Sequence, residues 1–372
     1  MAKNSNLSQA KAAKNDEFYT QYADIQKEVN AYIEYNPDVF RAKTILLPCD
    51  DPEWSNFTKF FAQNFEFFGL KKLISTSYAI ESKNYKTDWQ PTLFETENPL
   101  YNADKSRVKG KIFTLDHDTN TNGRVDIDDL QWQYLEGDGD FRSAEVTALR
   151  NEADIIITNP PFSLFREFLA WIMAGGKQFL IIGSMNSITY KEVFPLVKDN
   201  QMWLGNGFSA GNAFFRIIGG ASTDYADGVY DVNTGLVKFR NCCWFTNIDH
   251  GRRHQPLQLM TMADNLKFNK KLKGQTEYYH YDNYDAIEVP YTELIPSDYL
   301  GMMAVPITFL DRYCPEQFEI LGITQRNDDP YKIKKYTIAE YANANDLNAR
   351  GVIIIDGKPR SMYARVLIRK KQ

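Results

Sequence analysis

The chain has no run of about 18 apolar residues, so nothing in it can cross a bilayer as a helix. Residues 1 to 16 are polar and rich in Lys, Asn and Ala, without the apolar segment of a secretory leader. A soluble intracellular protein with no membrane partner is expected. Cysteine is scarce: Cys49, Cys242, Cys243 and Cys314 are too few and too scattered for a disulfide framework, and the adjacent pair lacks zinc-ligand spacing. They read as reduced residues of the core or of a pocket. The four histidines, His117, His250, His254 and His280, have neither zinc nor triad spacing. No internal repeat or low-complexity run is present.

Positive charge is in deficit, with 43 Lys and Arg against 48 Asp and Glu, a net charge of −5. The deficit is local. Residues 115 to 140 hold eight acidic side chains against Arg124 alone, a net of −7, so the rest of the chain sums to about +2. From residue 326 to the end, eleven Lys and Arg stand against five Asp and Glu, a net of +6. The chain closes on Arg365-Val-Leu-Ile-Arg369-Lys370-Lys371. Such a face suits phosphate contacts, because neutralising phosphates releases counterions. A solvated basic tail is the alternative.

The length of 372 residues allows a full α/β core plus a smaller region. Short β-branched or apolar strands are expected at 44 to 47, 71 to 76, 154 to 158 and 178 to 183. Helical patterns are expected at 24 to 35, 54 to 65, 144 to 151 and 165 to 173. Their alternation predicts a parallel sheet with helices on both faces. Later strands are expected at 202 to 204, 214 to 218 and 242 to 248. The division expected is a catalytic domain at 1–260, with an acidic insertion at about 101–135, and a C-terminal region at 261–372.

The most informative segment is Asp154-Ile-Ile-Ile-Thr-Asn159-Pro160-Pro161-Phe162. Two prolines fix φ and remove two donors, so the chain is held as a stiff corner just past the strand's carboxyl end. Ligands bind at such ends in open α/β sheets. The Asn159 oxygen and the Pro160 carbonyl can accept two N–H bonds from a base's exocyclic amine, while Phe162 stacks on its face. This tetrapeptide resembles the Asn/Asp/Ser-Pro-Pro-aromatic motif of amino-methyltransferases. Its Asn-Pro-Pro-Phe form points to N6 of adenine in DNA, with Asn159, Pro160, Pro161 and Phe162 as the catalytic set.

Further segments extend the resemblance. Pro48-Cys49-Asp50-Asp51-Pro52-Glu53-Trp54-Ser55 follows the first strand, where methyltransferases usually have a Gly-rich turn. Without glycine the backbone approaches a ligand less freely, so side chains such as Asp50 are expected to take part. This octapeptide resembles the EcoRI-type adenine-specific DNA methyltransferases, as do Lys238-Phe-Arg-Asn-Cys-Cys-Trp-Phe-Thr-Asn247 and Tyr284-Asp-Ala-Ile-Glu-Val289. The resemblance implies a Rossmann-like, S-adenosylmethionine-dependent α/β fold with an appended DNA-contacting region. It implies Phe18, Tyr19 and Thr20 at the methionine end of the cofactor, with Pro48, Cys49 and Asp50 beside them. Asp140 and Phe141, within Gly-Asp-Phe, fall at its adenine ring. Double-stranded DNA is the expected partner, with a cognate restriction endonuclease, a monomeric enzyme and the cytoplasm of a bacterial or phage-infected host. RNA or protein-amide methylation, or a DNA-binding relative without catalysis, are the rival readings. Residues 206 to 212, rich in Gly and Asn, fall where this class covers a flipped base.

A separate metal reading attaches to Asp118, Asn120, Asn122, Arg124, Asp126 and Asp129. They occupy positions 1, 3, 5, 7, 9 and 12 of a calcium-loop pattern, with Gly123 at 6 and Asp in place of the closing Glu. Arg124 would contribute its carbonyl. A structural Ca2+ or a solvated insertion both fit, since methyl transfer needs no metal.

Overall fold

The computed structural model describes residues 19–50, 55–79, 96, 99–208, 212–216, 228–325 and 329–371. The chain divides into two compact units, Met1–Ser184 with Leu204–Asp249, and Met185–Trp203 with His250–Gln372. The second unit thus contains residues 185–203 and 250–260, which the expected division assigns to the catalytic domain.

In the first unit the elements are β1 (Tyr19–Thr20), α1 (Tyr22–Tyr35), β2 (Thr44–Leu47), α2 (Asn56–Gln63), β3 (Lys72–Ser77), β4 (Lys111–Leu115), β5 (Gln131–Tyr134), α3 (Ala144–Glu152), β6 (Ile155–Thr158), α4 (Phe165–Ala174) and β7 (Gln178–Ser184). The short strand β8 (Trp203–Leu204) marks the chain's return, followed by β9 (Asn212–Arg216), β10 (Tyr230–Asp231), β11 (Leu236–Arg240) and β12 (Cys242–Thr246).

One mixed sheet of eight strands has the order β5-β4-β3-β2-β6-β7-β12-β8. The pairs β3·β2, β2·β6 and β6·β7 are parallel, whereas β3·β4, β4·β5 and β7·β12 are antiparallel. Ile155, Ile156 and Ile157 are fully buried. A strand covered on both faces is the reason its sequence reads as an unbroken apolar run. α3 begins at Ser143, whose Oγ accepts from the Val146 amide at 3.2 Å, an N-cap worth about 1 kcal/mol. α4 buries Phe165, Phe168, Leu169 and Ile172, at helical positions i, i+3, i+4 and i+7. Each such side chain contributes roughly 1.5–3 kcal/mol of burial.

The acidic stretch is more than an insertion. Within it runs the antiparallel pair β4·β5 at the sheet edge; five of its eight acidic residues lie in the connecting loop, and Glu136, Asp138 and Asp140 follow β5. A second sheet, β1-β9-β11-β10, is antiparallel and begins with the very start of the described chain.

The second unit contains β13 (Ala286–Glu288), β14 (Met302–Pro306), β15 (Phe318–Ile323), α5 (Ala344–Asn348), β16 (Val352–Ile355), β17 (Lys358–Ser361) and β18 (Arg365–Lys370). Its sheet has the order β13-β14-β18-β15, and β16·β17 is a separate hairpin. The basic end of the chain is thus an interior strand, with Val366, Leu367 and Ile368 fully buried. Arg365 is held by Glu288 at 2.6 Å, Arg369 by Glu319 at 3.2 Å, and Lys370 by the Ser297 carbonyl at 2.6 Å. Three cations of the expected phosphate face are therefore committed to the fold. Among the described residues no helix is long and apolar enough to cross a membrane.

Candidate active site

From β2 the sheet grows through β3 on one side and through β6 on the other, so a topological switch point lies between β2 and β6. Pro48-Cys49-Asp50 leaves the carboxyl end of β2, and Asn159-Pro160 leaves that of β6. Thr158 joins them. Its buried Oγ1 lies 2.5 Å from Asp50 Oδ2 and 2.7 Å from the Pro48 carbonyl. The other carboxylate oxygen of Asp50 accepts from Ser55 Oγ at 2.7 Å, and Ser55 in turn caps α2 through the Phe57 amide at 3.1 Å. The Asp50 amide donates to the Thr76 carbonyl at 2.8 Å, and Ser75 Oγ donates to the Asp50 carbonyl. Asp50, only 6% exposed, builds the loop from within. Residues 51–54 of the same motif lie outside the described residues.

Cys49 has φ 67°, the left-handed conformation usually reserved for glycine. It costs an L-residue about 1–2 kcal/mol. The turn thus has the backbone path of a glycine turn at one position without having the glycine.

Two further segments pack on the elements that follow this loop, one on the start of α2 and one on the end of β3. Tyr19 and Thr20 pair with Arg216 and Phe215 of β9, and the Thr20 carbonyl accepts from Asn56 Nδ2 at 2.7 Å. Thr20 is 2% exposed, and its Oγ1 has no hydrogen-bond partner among the described residues. Phe18 lies outside the described residues. The loop of residues 137–141 docks on the end of β3, where the Ala79 amide donates to the Asp138 carbonyl at 2.8 Å. Gly139, at φ 88°, leaves no room for a side chain, since a Cβ there would stand 2.3 Å from the Ser77 carbonyl oxygen.

Asp140 is gripped by Arg142, whose Nη2 lies 2.6 Å from Oδ2 and whose Nε lies 2.9 Å from Oδ1. These hydrogen bonds hold the Asp140 carboxyl below the usual range, against the opposing effect of burial. Arg142 also reaches Glu167 at 3.0 Å. Tyr78, just past β3, is raised in pKa by burial and then by the neighbouring Cys49 and Asp140, which places it between the two loops. Phe141 behaves differently from Asp140. It is fully buried, edge-on to Phe168 at 5.0 Å and to Trp171 at 5.6 Å, and supports the loop from the core.

At the Pro-Pro corner, the Pro161 carbonyl is taken by the Leu164 amide at 3.0 Å as a 3-10 turn begins. That leaves Pro160 as the corner's carbonyl outside the turn. Asn159 and Phe162 are half-buried and Pro160 is buried. The Phe162 ring stands edge-on to Phe215 of β9, at 6.5 Å, and to Phe239 of β11, at 6.3 Å. Sequence reasoning missed Phe215, Phe239, Tyr78 and Thr158. Phe215 had a signal in the alternation of Asn212–Arg216, where Ala213 and Phe215 point inward.

The calcium reading is not supported. Among the described residues no group of three or more His, Cys, Asp or Glu is placed to hold a metal. The loop's oxygens serve its own backbone instead. Asp129 Oδ1 accepts from the amides of Thr119 at 2.8 Å and Asn120 at 3.1 Å, and its Oδ2 from that of Asp126 at 3.1 Å. Asp118 accepts from the Gly123 amide at 2.7 Å, Asn120 from that of Asn122 at 3.0 Å, Asn122 from that of Arg124 at 2.8 Å, and Asp126 from that of Asp128 at 3.0 Å. Although burial opposes it, the amides of Asp126, Thr119 and Asn120 and the Thr119 hydroxyl bring the Asp129 pKa down to about 2.

With this geometry in hand, comparisons with known proteins agree among themselves. A family model described as adenine-specific methyltransferase EcoRI matches residues 6–371. The type II methyltransferase M.EcoRI of Escherichia coli is 40% identical over 329 residues, covering 88% of this chain and 92% of its own. The type II methyltransferases M.MpnI of Mycoplasma pneumoniae and M.MgeORF184P of Mycoplasma genitalium are 31% and 33% identical. Each alignment covers 98% of this chain, with 98% of the first relative and 99% of the second. No solved structure matches the chain.

Proposed function

The chain belongs to the EcoRI family of adenine-specific methyltransferases, and from that premise we propose that it methylates N6 of a flipped-out adenine in double-stranded DNA, within a restriction-modification setting. The first unit is read as a Rossmann-like cofactor domain. The observation that carries the reading is the Thr158 link, which ties the loop after β2 to the strand end that presents Asn159. Cofactor loop and base corner are then parts of one hydrogen-bonded body.

S-adenosylmethionine, when bound, supplies an electrophilic methyl on a sulfonium. The residues present suit it. Thr20 offers a buried hydroxyl without a partner among the described residues, and its carbonyl is bonded to Asn56 at the start of α2; with Tyr19 and the loop of Pro48, Cys49 and Asp50 it would hold the polar methionine end. Asp140 offers a carboxylate for the adenine amine, oriented by Arg142. Phe141, enclosed by Phe168 and Trp171, holds that loop in place.

On the substrate side, the adenine N6 lone pair is delocalised into the ring. Accepting its two N–H bonds at the Asn159 oxygen and the Pro160 carbonyl favours a more tetrahedral nitrogen, so that the lone pair can attack in line. Positioning and electrostatics supply the rate. Phe162, backed edge-on by Phe215 and Phe239, offers its face to the base and partly offsets the few kcal/mol of unstacking. In the second unit, Lys358 and Arg360 are exposed on β17, opposite Ile355 and Ile353 of β16, and are the tail cations best suited to phosphate.

The test is incubation with labelled S-adenosylmethionine and mixed genomic DNA, followed by digestion to nucleosides. Label is expected in N6-methyladenine. Asn159→Ala is expected to lower turnover by about a hundredfold or more, the scale of losing one preorganised polar contact to the reacting group, with cofactor binding retained. Label in another nucleoside, or full turnover in the variant, refutes the assignment.

A further inference from the structure

α1 carries a residue that its amphipathic pattern does not explain. Glu28 is fully buried beside Ile25, Val29 and Tyr32. A carboxylate in such surroundings is strongly disfavoured unless its oxygens are satisfied. They are satisfied by a distant turn. Oε1 accepts from the Asn206 amide at 2.7 Å and from the Tyr32 hydroxyl at 3.0 Å, and Oε2 accepts from the Gly207 amide at 2.9 Å. The neighbouring Lys27 Nζ lies 3.4 Å from the Gly207 carbonyl. Two consecutive amides on one carboxylate fix the path of residues 205–208. The approach is so close that a Cβ on Gly205 would stand 2.1 Å from Glu28 Oε1.

The turn leads to the aromatic wall beside the Pro-Pro corner. Phe208 stacks on Trp244 at 5.5 Å and 20° and meets Phe215 edge-on at 6.3 Å. Phe215 is the ring on which Phe162 rests. β9 is paired by β1, so α1 holds Asn206 and Gly207 while β1 holds Phe215 and Arg216. We propose that Glu28 is a positioning residue for the base cup. It is a buried anionic clamp that sets the turn of residues 205–208, and through Phe208 and Phe215 the seat of Phe162. This role rests on the adenine-methylation reading and adds a residue 131 positions from Asn159 to it.

The test uses the full chain, with Glu28→Gln and, separately, Gly207→Ala. Gln keeps one acceptor but turns a donor toward an amide. Ala at φ 88° strains the turn while leaving the carboxylate in place. For both, kcat is expected to fall about tenfold or more, the scale of one hydrogen bond to a charged group. Both Kd for S-adenosylmethionine and KM for DNA should stay within about threefold. Fluorescence of 2-aminopurine at the target position should fall in parallel with kcat. A kcat within twofold of wild type in Glu28→Gln overturns the proposal, as does a loss matched by an equal loss of cofactor binding. Should Glu28→Gln fail to fold, Gly207→Ala decides by the same criteria. Wild-type protein that labels no DNA adenine refutes the methylation reading instead, and is read before the variants are compared.

Discussion

Replacing Thr158 with valine removes one hydroxyl from the junction between the two loops and changes little else. Valine is β-branched like threonine and suits a strand end, so the side chain's volume is kept and the strand is not weakened. What is lost is the contact to Asp50 Oδ2 at 2.5 Å and to the Pro48 carbonyl at 2.7 Å, in a place where Thr158 is 0% exposed. A hydrogen bond to a charged group contributes about 1.5–3 kcal/mol, and water cannot replace it at a fully buried site. Taking about 2 kcal/mol, a unit of this size should lose about 4–8 °C in Tm, at roughly 2–4 °C per kcal/mol. Because the same hydroxyl anchors residues 48–50, affinity for S-adenosylmethionine should weaken by about tenfold, equivalent to about 1.4 kcal/mol of the loss. Differential scanning fluorimetry and calorimetric titration give the two numbers, and Thr158→Ser, which restores the hydroxyl, should recover most of both. An unchanged Tm together with an unchanged cofactor Kd in the valine variant would refute the link as the joint between the loops.

Arg142→Met should weaken S-adenosylmethionine binding about threefold to tenfold by releasing Asp140. Its effect on stability should stay within about 1 kcal/mol, because the ion pair is half-exposed; equal cofactor Kd values would remove Asp140's orientation from the account. Asp129 has a folded pKa of about 2, below its unfolded value, so its carboxylate stabilises the folded chain above that unfolded value and loses the effect as pH falls toward 2. The stability difference between wild type and Asp129→Asn should therefore be constant above about pH 5 and narrow as pH falls towards 3, and denaturant melts showing no narrowing would contradict the backbone-capping role. Lys358→Ala combined with Arg360→Ala should reduce the slope of log K against log salt for duplex DNA by up to about 1.8, with kcat at saturating DNA unchanged; an unaltered slope takes the hairpin out of the DNA interface.

Much of the first unit was legible because its signals are local. The strands at Thr44–Leu47, Ile155–Thr158 and Gln178–Ser184 are short apolar runs, and a strand buried on both faces has no alternation to confuse with a helix. The motif at Asn159 was legible because two prolines admit few backbone paths. What failed to read were pairings between distant segments. Lys111–Leu115 and Gln131–Tyr134 do alternate, but at five and four residues they are short, and the charge in the loop between them dominates the composition. The calcium pattern failed for a related reason. Asp and Asn at every second position suit Asx turns as well as they suit a cation, and only the positions of the amides decide between them. Composition at the basic terminus carries no record of pairing. Arg365 on one side and Arg369 and Lys370 on the other flank Val366, Leu367 and Ile368, and an interior strand with acidic partners on other segments reads, in one dimension, as a cationic tail.

The glycine-free turn after β2 resolves into a division of labour among residues that sequence reading treated as one. A glycine-rich turn at this place permits left-handed backbone and close approach at no steric cost, but it loses more conformational entropy on folding. Here Cys49 alone takes the left-handed conformation, at φ 67°, and Asp50 supplies the bonds that hold it there, through Ser55, Thr158 and Thr76. The strain of about 1–2 kcal/mol at Cys49 is of the same order as one of those bonds to a charged group, so the network can outweigh it with bonds to spare. Asp50 is therefore an internal brace whose two oxygens are both engaged, and it fixes the backbone of residues 48–50 from within. The same logic recurs at Glu28, where a second buried carboxylate binds the amides of a second turn. In both places a buried acidic side chain holds a loop through hydrogen bonds; the loop after β2 has a motif that names Asp50, whereas Glu28 bonds amides 178 and 179 positions away and has no motif to name it.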